Sequence, residues 1–245
     1  MSSGDYRQSH LEKGAVYDQN LSDGTFDTFM TMREAVLLPR IVARLFPTTP
    51  PKYLDFACGT GRITSIVAPL TRESRGVDVS ASMVAEAVRK CPQTRFDVAD
   101  ITAGPLDDTA FDLATAFRFF GNAQPDLRKA ALAAVSRHLV RGGYFVFNNH
   151  RNAGSGRAIL QRATGRYEDS ADLDLATLRT LLRDAGFTVE WTTGIGWWVL
   201  AHNLNRPGLF SSSLIGLLEP LSTVDAVAPY CPAYIVVARK TGDPR

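Results

Sequence analysis

The stretch "YLDFACGTGRIT", Tyr53 to Thr64, decides how the chain is read. Four mostly apolar residues run into a turn in which two glycines, Gly59 and Gly61, flank a single threonine. Glycine reaches backbone angles closed to other residues and lets a ligand approach the main chain. A strand ending in this way suits the first strand-to-helix turn of a parallel sheet, where ligands bind at the carboxyl ends of the strands. A tight turn without a ligand can also use two glycines, so the flanking sequence has to decide.

Working outward, the short apolar runs "SRGVDVS", "TRFDVADI", "FDLATAFRFF" and "GGYFVFNN" follow, separated by helix-like stretches such as "SASMVAEAVRKC" and "DLRKAALAAVSRHLV". Strand and helix in alternation predict a parallel sheet covered on both faces. Upstream, "FMTMREAVLLPRIVARLF" places apolar side chains at helical spacing, and "PTTPPK" ends that helix. Downstream, "LATLRTLLRDAGF" leads to "TVEWTTGI" and "AYIVVARK", read as the last two strands. The connection between them, 196–232, is too long for a bare loop and includes the helix-like "LFSSSLIGLLEPL". Residues 1–48 read as an N-terminal helical segment able to act as a lid, and 49–245 as the main domain, with 196–232 as a substrate-covering insertion.

Composition excludes several classes. With 245 residues, 45% of them hydrophobic, the chain is long enough for one substantial core. A net charge of +2 with both signs interspersed leaves no basic stripe, so no nucleic-acid partner is expected. The three cysteines, Cys58, Cys91 and Cys231, have no zinc spacing, and their odd number suits a reducing, cytoplasmic compartment. The polar start "MSSGDYRQSHLEKG" is no signal peptide, and no apolar run approaches the roughly 20 residues of a membrane anchor. Asn148, Asn149 and His150 are neighbours on one strand and point to alternate faces, so no metal site is expected.

Acids at strand ends narrow the ligand. Asp78 closes the run "GVDVS", where a carboxylate can accept from both hydroxyls of a ribose, and Asp100 closes "DVAD" at the same sheet edge, within reach of an amine. A dinucleotide fingerprint wants a small residue three places after its second glycine, and this chain has Thr64 there. Asp55, four residues before Gly59, would face a ligand amine better than a phosphate. The pocket is therefore read as one for a nucleoside cofactor without phosphates, and a nicotinamide dehydrogenase as the weaker competitor.

Together "YLDFACGTGRIT", "GVDVSASMVAEA", "FDVADI", "FDLATAF" and "LVRGGYFVF" resemble the successive motifs of the class I S-adenosylmethionine-dependent methyltransferases, over roughly residues 50 to 150. The resemblance implies a Rossmann-like α/β fold: a seven-stranded, mostly parallel sheet with helices on both faces and its last strand antiparallel. It implies that Asp55, Ala57, Gly59 and Gly61 line the methionine part of S-adenosyl-L-methionine and that Asp78 holds the ribose hydroxyls. It also implies that Val79 and Met83 pack on the adenine, that Asp100 and Ile101 lie near its amine, and that Phe117 closes the pocket. Of the aromatic cluster Phe117, Phe119 and Phe120, at least two are expected in the core.

The resemblance does not transmit the acceptor. Methyl transfer from a sulfonium is an in-line displacement, and an oxygen nucleophile often needs a base. His150, directly after the fifth strand, is the candidate base, with Arg118, Tyr17 and His202 on the acceptor side. The expected function is O-methylation of a small hydroxylated molecule, a sugar or natural-product intermediate. N-methylation of a small amine and cofactor binding without catalysis are the alternatives.

Overall fold

The structure is a computed structural model, and it describes residues 26–107, 110–166, 173–197 and 216–244. Seven strands form one sheet: β1 (Lys52–Phe56), β2 (Glu73–Asp78), β3 (Arg95–Val98), β4 (Phe111–Ala116), β5 (Leu139–Asn149), β6 (Phe187–Ile195) and β7 (Ala233–Lys240). The order is β3-β2-β1-β4-β5-β7-β6. Strands β1 to β5 run parallel to their neighbours, while β7 pairs antiparallel with both β5 and β6. The parallel strands are those expected from the alternation of apolar runs, and the seventh, reversed strand is the one that the family resemblance implied.

Successive residues of a strand face opposite sides, and the sheet divides its apolar side chains accordingly. Tyr53, Leu113, Val146 and Ile235 meet helix α1 (Phe26–Leu45) through its buried Met30, Leu37, Leu38, Ile41 and Val42. Their neighbours Leu54, Ala114, Phe147 and Val236 join the other core, with Ala131, Leu132 and Val135 of α4 (Pro125–His138) and Leu178 and Leu182 of α6 (Leu175–Asp184). Phe119 and Phe120 belong to that second core, Phe119 edge-on to Phe56 at 4.9 Å between ring centroids. The remaining helices are the short α2 (Thr64–Val67), α3 (Ala81–Lys90) and α5 (Gly156–Ala163).

Two boundaries differ from the sequence reading. The helix expected through Val140 stops at His138, and Leu139 already has extended backbone angles and opens β5. Lys240 accounts for the stop: its Nζ donates to the carbonyl oxygens of Ser136 and Leu139, at 2.7 and 3.1 Å, and so serves the carbonyls a helix end leaves over. Among the described residues of the N-terminal segment, α1 is a helix packed on a sheet face. Its first turns reach the carboxyl ends of the strands, and its last turns lie over the opposite end, where Arg44 stacks on Trp191 at 4.1 Å.

Candidate active site

With β1 and β4 adjacent in the order, the sheet reverses direction of growth between them, and the crevice of such a switch point lies at the carboxyl ends. A cavity opens there, with about 920 Å³ of empty space when the open solvent at its mouth is included. Asp55, Ala57, Gly59, Asp78, Val79, Met83, Asp100, Ile101, Phe117 and Arg118 all line it, as the sequence reading expected. It is also lined by residues that the reading passed over, among them Thr60, Arg62 and Thr102.

The glycine turn is built around left-handed backbone. Ala57, Gly59 and Gly61 have φ of 54°, 55° and 76°. The two glycines serve different ends. A side-chain carbon on Gly59 would meet only the Met83 sulfur, at 3.6 Å, whereas one on Gly61 would lie 3.0 Å from the Ala87 side chain and 3.1 Å from its Cα. Gly61 therefore allows α3 to pack against the turn, and it does not line the cavity, which corrects its expected place beside the methionine part. Left-handed backbone and close packing against α3 are the physical reasons for glycine at that position.

Main-chain groups orient Asp78: Gly59 N–H donates to Oδ2 and Ser80 N–H to Oδ1, both at 2.9 Å. Asp100 accepts from Thr102 N–H and hydroxyl on Oδ1, at 2.9 and 2.5 Å, an arrangement that ties its own turn. Asp55 lies opposite Thr115 in the β1–β4 register. It is 1% exposed and accepts from the hydroxyls of Thr115 at 2.7 Å and Thr64 at 2.6 Å. Burial pushes its carboxyl up to about 6, against the downward pull of those two hydroxyls and of Arg62. At neutral pH it is a buried carboxylate in want of a cation. Thr64, the residue that broke the dinucleotide pattern, is thus one of its two anchors.

Residues 54–143 match the family of methyltransferase domains. This span carries a methyltransferase domain. No curated protein matches the chain in sequence. Solved structures show the same fold at low identity. A methyltransferase of Thermotoga maritima described as a possible histamine N-methyltransferase is 17% identical with TM-score 0.65, over 97% of this chain and 100% of its own. The N-methyltransferase NodS of Bradyrhizobium japonicum, with S-adenosylhomocysteine, is 16% identical with TM-score 0.62, over 98% and 100%. The magnesium protoporphyrin IX methyltransferase of Synechocystis, also with S-adenosylhomocysteine, is 16% identical with TM-score 0.64, over 96% and 97%. The methyltransferase uses S-adenosylmethionine as its cofactor. Its cavity fits that molecule: two carboxylates, Asp55 and Asp78, are joined by the apolar walls of Val79, Met83, Ile101 and Phe117, a set suited to a nucleoside with a cationic tail.

The other end of the methyltransferase's cavity is made differently. Arg118 follows β4 with φ of 60°, a left-handed conformation that is uncommon for a side chain of this size and typical of functional sites. Its N–H donates to Asn148 Oδ1 at 2.7 Å, and its Nη1 to Asp27 Oδ1 of α1 at 2.8 Å. Arg62 reaches Glu34 of α1, which in turn accepts from Asn148 Nδ2 at 2.8 Å. Further along α1, Arg33 faces Glu219, whose carboxylate also accepts from Gly196 N–H at 3.1 Å. The helix is thereby tied to three strand ends and to the insertion.

His150 does not line the cavity. Its ring packs against Gly121, and Nδ1 is buried with no hydrogen-bond partner among the described residues. Burial lowers its pKa to about 3, with further lowering by Arg118, Arg151 and Arg62. An imidazole whose conjugate acid is that strong is a poor proton acceptor at neutral pH, which corrects its reading as a base titrating near 6.5. Tyr17 and His202 lie outside the described residues. Cys58, Cys91 and Cys231 are all buried and free. Among the described residues no three His, Cys, Asp or Glu side chains group as a metal site, and no helix is long and apolar enough to cross a membrane.

Proposed function

We propose that this methyltransferase acts on a small molecule, transferring the methyl group to a hydroxyl oxygen. What carries the reading is the build of the cavity: it is lined by Phe117, Arg118 and Phe119, with α1 ion-paired to Arg118 and Arg62. In this reading Asp78 holds the ribose hydroxyls, Val79, Met83 and Ile101 pack on the adenine, Asp100 lies at its amine, and Asp55 faces the ammonium of the methionine part. When bound, S-adenosylmethionine supplies a methyl group on a sulfonium. The protein's part is alignment and exclusion of water, and Phe117 and Arg118 are placed to orient the acceptor's reactive atom.

A second reading is favoured by His150. With that imidazole withdrawn from proton transfer, an acceptor that needs no base is suited, such as an amine that arrives uncharged. The names of two structural relatives speak of N-methyl transfer, which is consistent with it. Paired acceptors, each a hydroxyl and an amine on one carbon skeleton, should be incubated with methyl-labelled cofactor and the labelled atom located by mass spectrometry. Label on oxygen is expected, and His150→Gln should keep turnover within about tenfold of normal, less than a general base contributes. Label on nitrogen moves the assignment to the second reading. Label found only on protein or nucleic acid would overturn both.

A further inference from the structure

Arg118 is built at a cost that an ion pair to α1 does not explain. Its φ of 60° is a conformation that a residue with a long side chain keeps only when its surroundings enforce it. Two side-chain amides do so here. Buried Asn148 accepts from the Arg118 N–H at 2.7 Å, and Asn122 donates to the Arg118 carbonyl oxygen at 2.8 Å. Thus clamped, Arg118 lines the cavity beside Phe117 and Phe119. A mere strap to α1 would need only a basic side chain on ordinary extended backbone.

The guanidinium is buried, and its partner on α1 is half-exposed. Nη1 and Nη2 of Arg118 donate to Oδ1 and the main-chain oxygen of Asp27, at 2.8 and 3.2 Å. A buried charge is costly unless it is well paired, whereas a pair whose partner stands in water is weak and easily exchanged. The surroundings are also positive. Besides burial, Arg118, Arg151 and Arg62 all lower the pKa of the His150 imidazole, and of the three Arg62 is already matched by the buried carboxylate of Glu34. This end of the cavity therefore suits one more negative charge, and a guanidinium fork matches the two oxygens of a planar carboxylate. We infer that Arg118 sets the specificity for the acceptor: it binds a carboxylate carried by the small molecule, exchanging its pair with Asp27 for one with the acceptor. The substrate class is then a hydroxy acid, or an amino acid where nitrogen is methylated, with the carboxylate as handle and not as nucleophile. This rests on the acceptor being a small molecule. Because water takes over Asp27 in the exchange, the guanidinium keeps a carboxylate partner throughout.

A ratio of substrates tests it. Small hydroxy acids and amino acids, aromatic and aliphatic, should each be incubated beside the matching carboxamide with methyl-labelled S-adenosylmethionine. The acids are expected to exceed the carboxamides in kcat/KM by roughly 10- to 150-fold, the range of hydrogen bonds to a charged group, with the label on hydroxyl or amine. Arg118→Gln should bring that ratio to within about threefold of unity. Should that variant fail to fold, Arg118→Lys keeps the charge and loses the fork, and its ratio should fall between the two. Asp27→Asn removes the competing carboxylate and should lower KM for the acids, relative to the carboxamides, by about two- to fivefold. If Asp27 and Arg118 served only to strap α1, that variant would raise KM for both sets together. Equal kcat/KM for acids and carboxamides, a ratio that survives both Arg118 variants, or label on the carboxylate itself would overturn the proposal and leave the small-molecule reading standing. Methylation of no compound in either set, by protein that binds S-adenosylhomocysteine, would overturn the small-molecule reading on which it rests.

Discussion

At the Asp78 end of the cavity the orienting contacts close within a turn or between neighbouring strands, whereas at the Arg118 end they span much of the chain. Asp78 is held from Ser80, two residues on, and from Gly59, 19 residues back. Arg118 meets Asp27 across 91 positions, and Asn148 meets Glu34 across 114. The donors at the first end are main-chain N–H groups, whose places are fixed once the sheet and its turns exist. At the second they are long side chains tied by ion pairs to a helix that could carry other residues. A cofactor common to a family calls for the first kind of construction, and an acceptor peculiar to one enzyme suits the second.

The sharpest way to break this comparison is at the turn itself. Gly61→Ala places a side chain in a left-handed backbone conformation, costing about 1–2 kcal/mol, and presses it against Ala87, at about 1–3 kcal/mol for overpacking. A loss of about 2–5 kcal/mol in unfolding free energy is expected from the sum. Gly59→Ala meets only the end of Met83 and should lose about 1–2 kcal/mol. Urea unfolding of the two variants without ligand decides it. Equal losses would mean that α3 can slide away from the turn, and that the cofactor end is less rigid than its backbone contacts suggest.

Asp78→Ala leaves the turn's glycines in place and removes the acceptor of two N–H bonds, Gly59 and Ser80. Affinity for S-adenosylhomocysteine should weaken by about 1.5–3 kcal/mol, the worth of hydrogen bonds to a charged group. Calorimetry is the measurement, and an unchanged affinity would remove the ribose from this strand end.

What could be read in advance follows the same division. The five parallel strands are announced by nearby apolar runs, and Gly59, Asp78 and Asp100 by a glycine turn and acids at strand ends; the reversed last strand was implied only by the family resemblance, as were most of the nine expected residues that line the cavity. Gly61 misled because packing against a helix and admitting a ligand ask for the same residue, and only the distance to Ala87 separates them. Arg62 and Glu34 were missed for opposite reasons. Arg62 stood inside the quoted motif, with attention on its glycines. Glu34 carried a usable signal, an acid four places after buried Met30 on an apolar helical face, but its partners lie 28 and 114 residues away. His150 was placed correctly after β5, yet burial behind Gly121 and three guanidinium groups nearby, which set its chemistry, come from tertiary structure alone.

The smallest expected effect is the most informative about the acceptor end. Asp27 pairs with Arg118 at 2.8 Å, but its side chain is 52% exposed while that of Arg118 is 10% exposed. Two rules compete. Breaking a buried pair strands a charge and costs about 3–5 kcal/mol, whereas an exposed pair is worth about 0–1 kcal/mol. The half-exposed partner is the one removed, and water can take its place at the guanidinium, so Asp27→Ala should lie in the lower range, within about 1 kcal/mol of normal stability. Arg118 would also keep its main-chain anchor on Asn148. The variant's cofactor affinity should be unchanged, because no contact at the Asp78 end depends on it, while its KM for the acceptor should shift as Arg118 gains freedom to turn. Raising salt should narrow the gap between variant and unmodified protein, since screening weakens an exposed pair first. A loss near 3 kcal/mol, or a parallel loss of cofactor affinity, would show that the two ends are one rigid unit and that the contrast between them is only one of sequence distance.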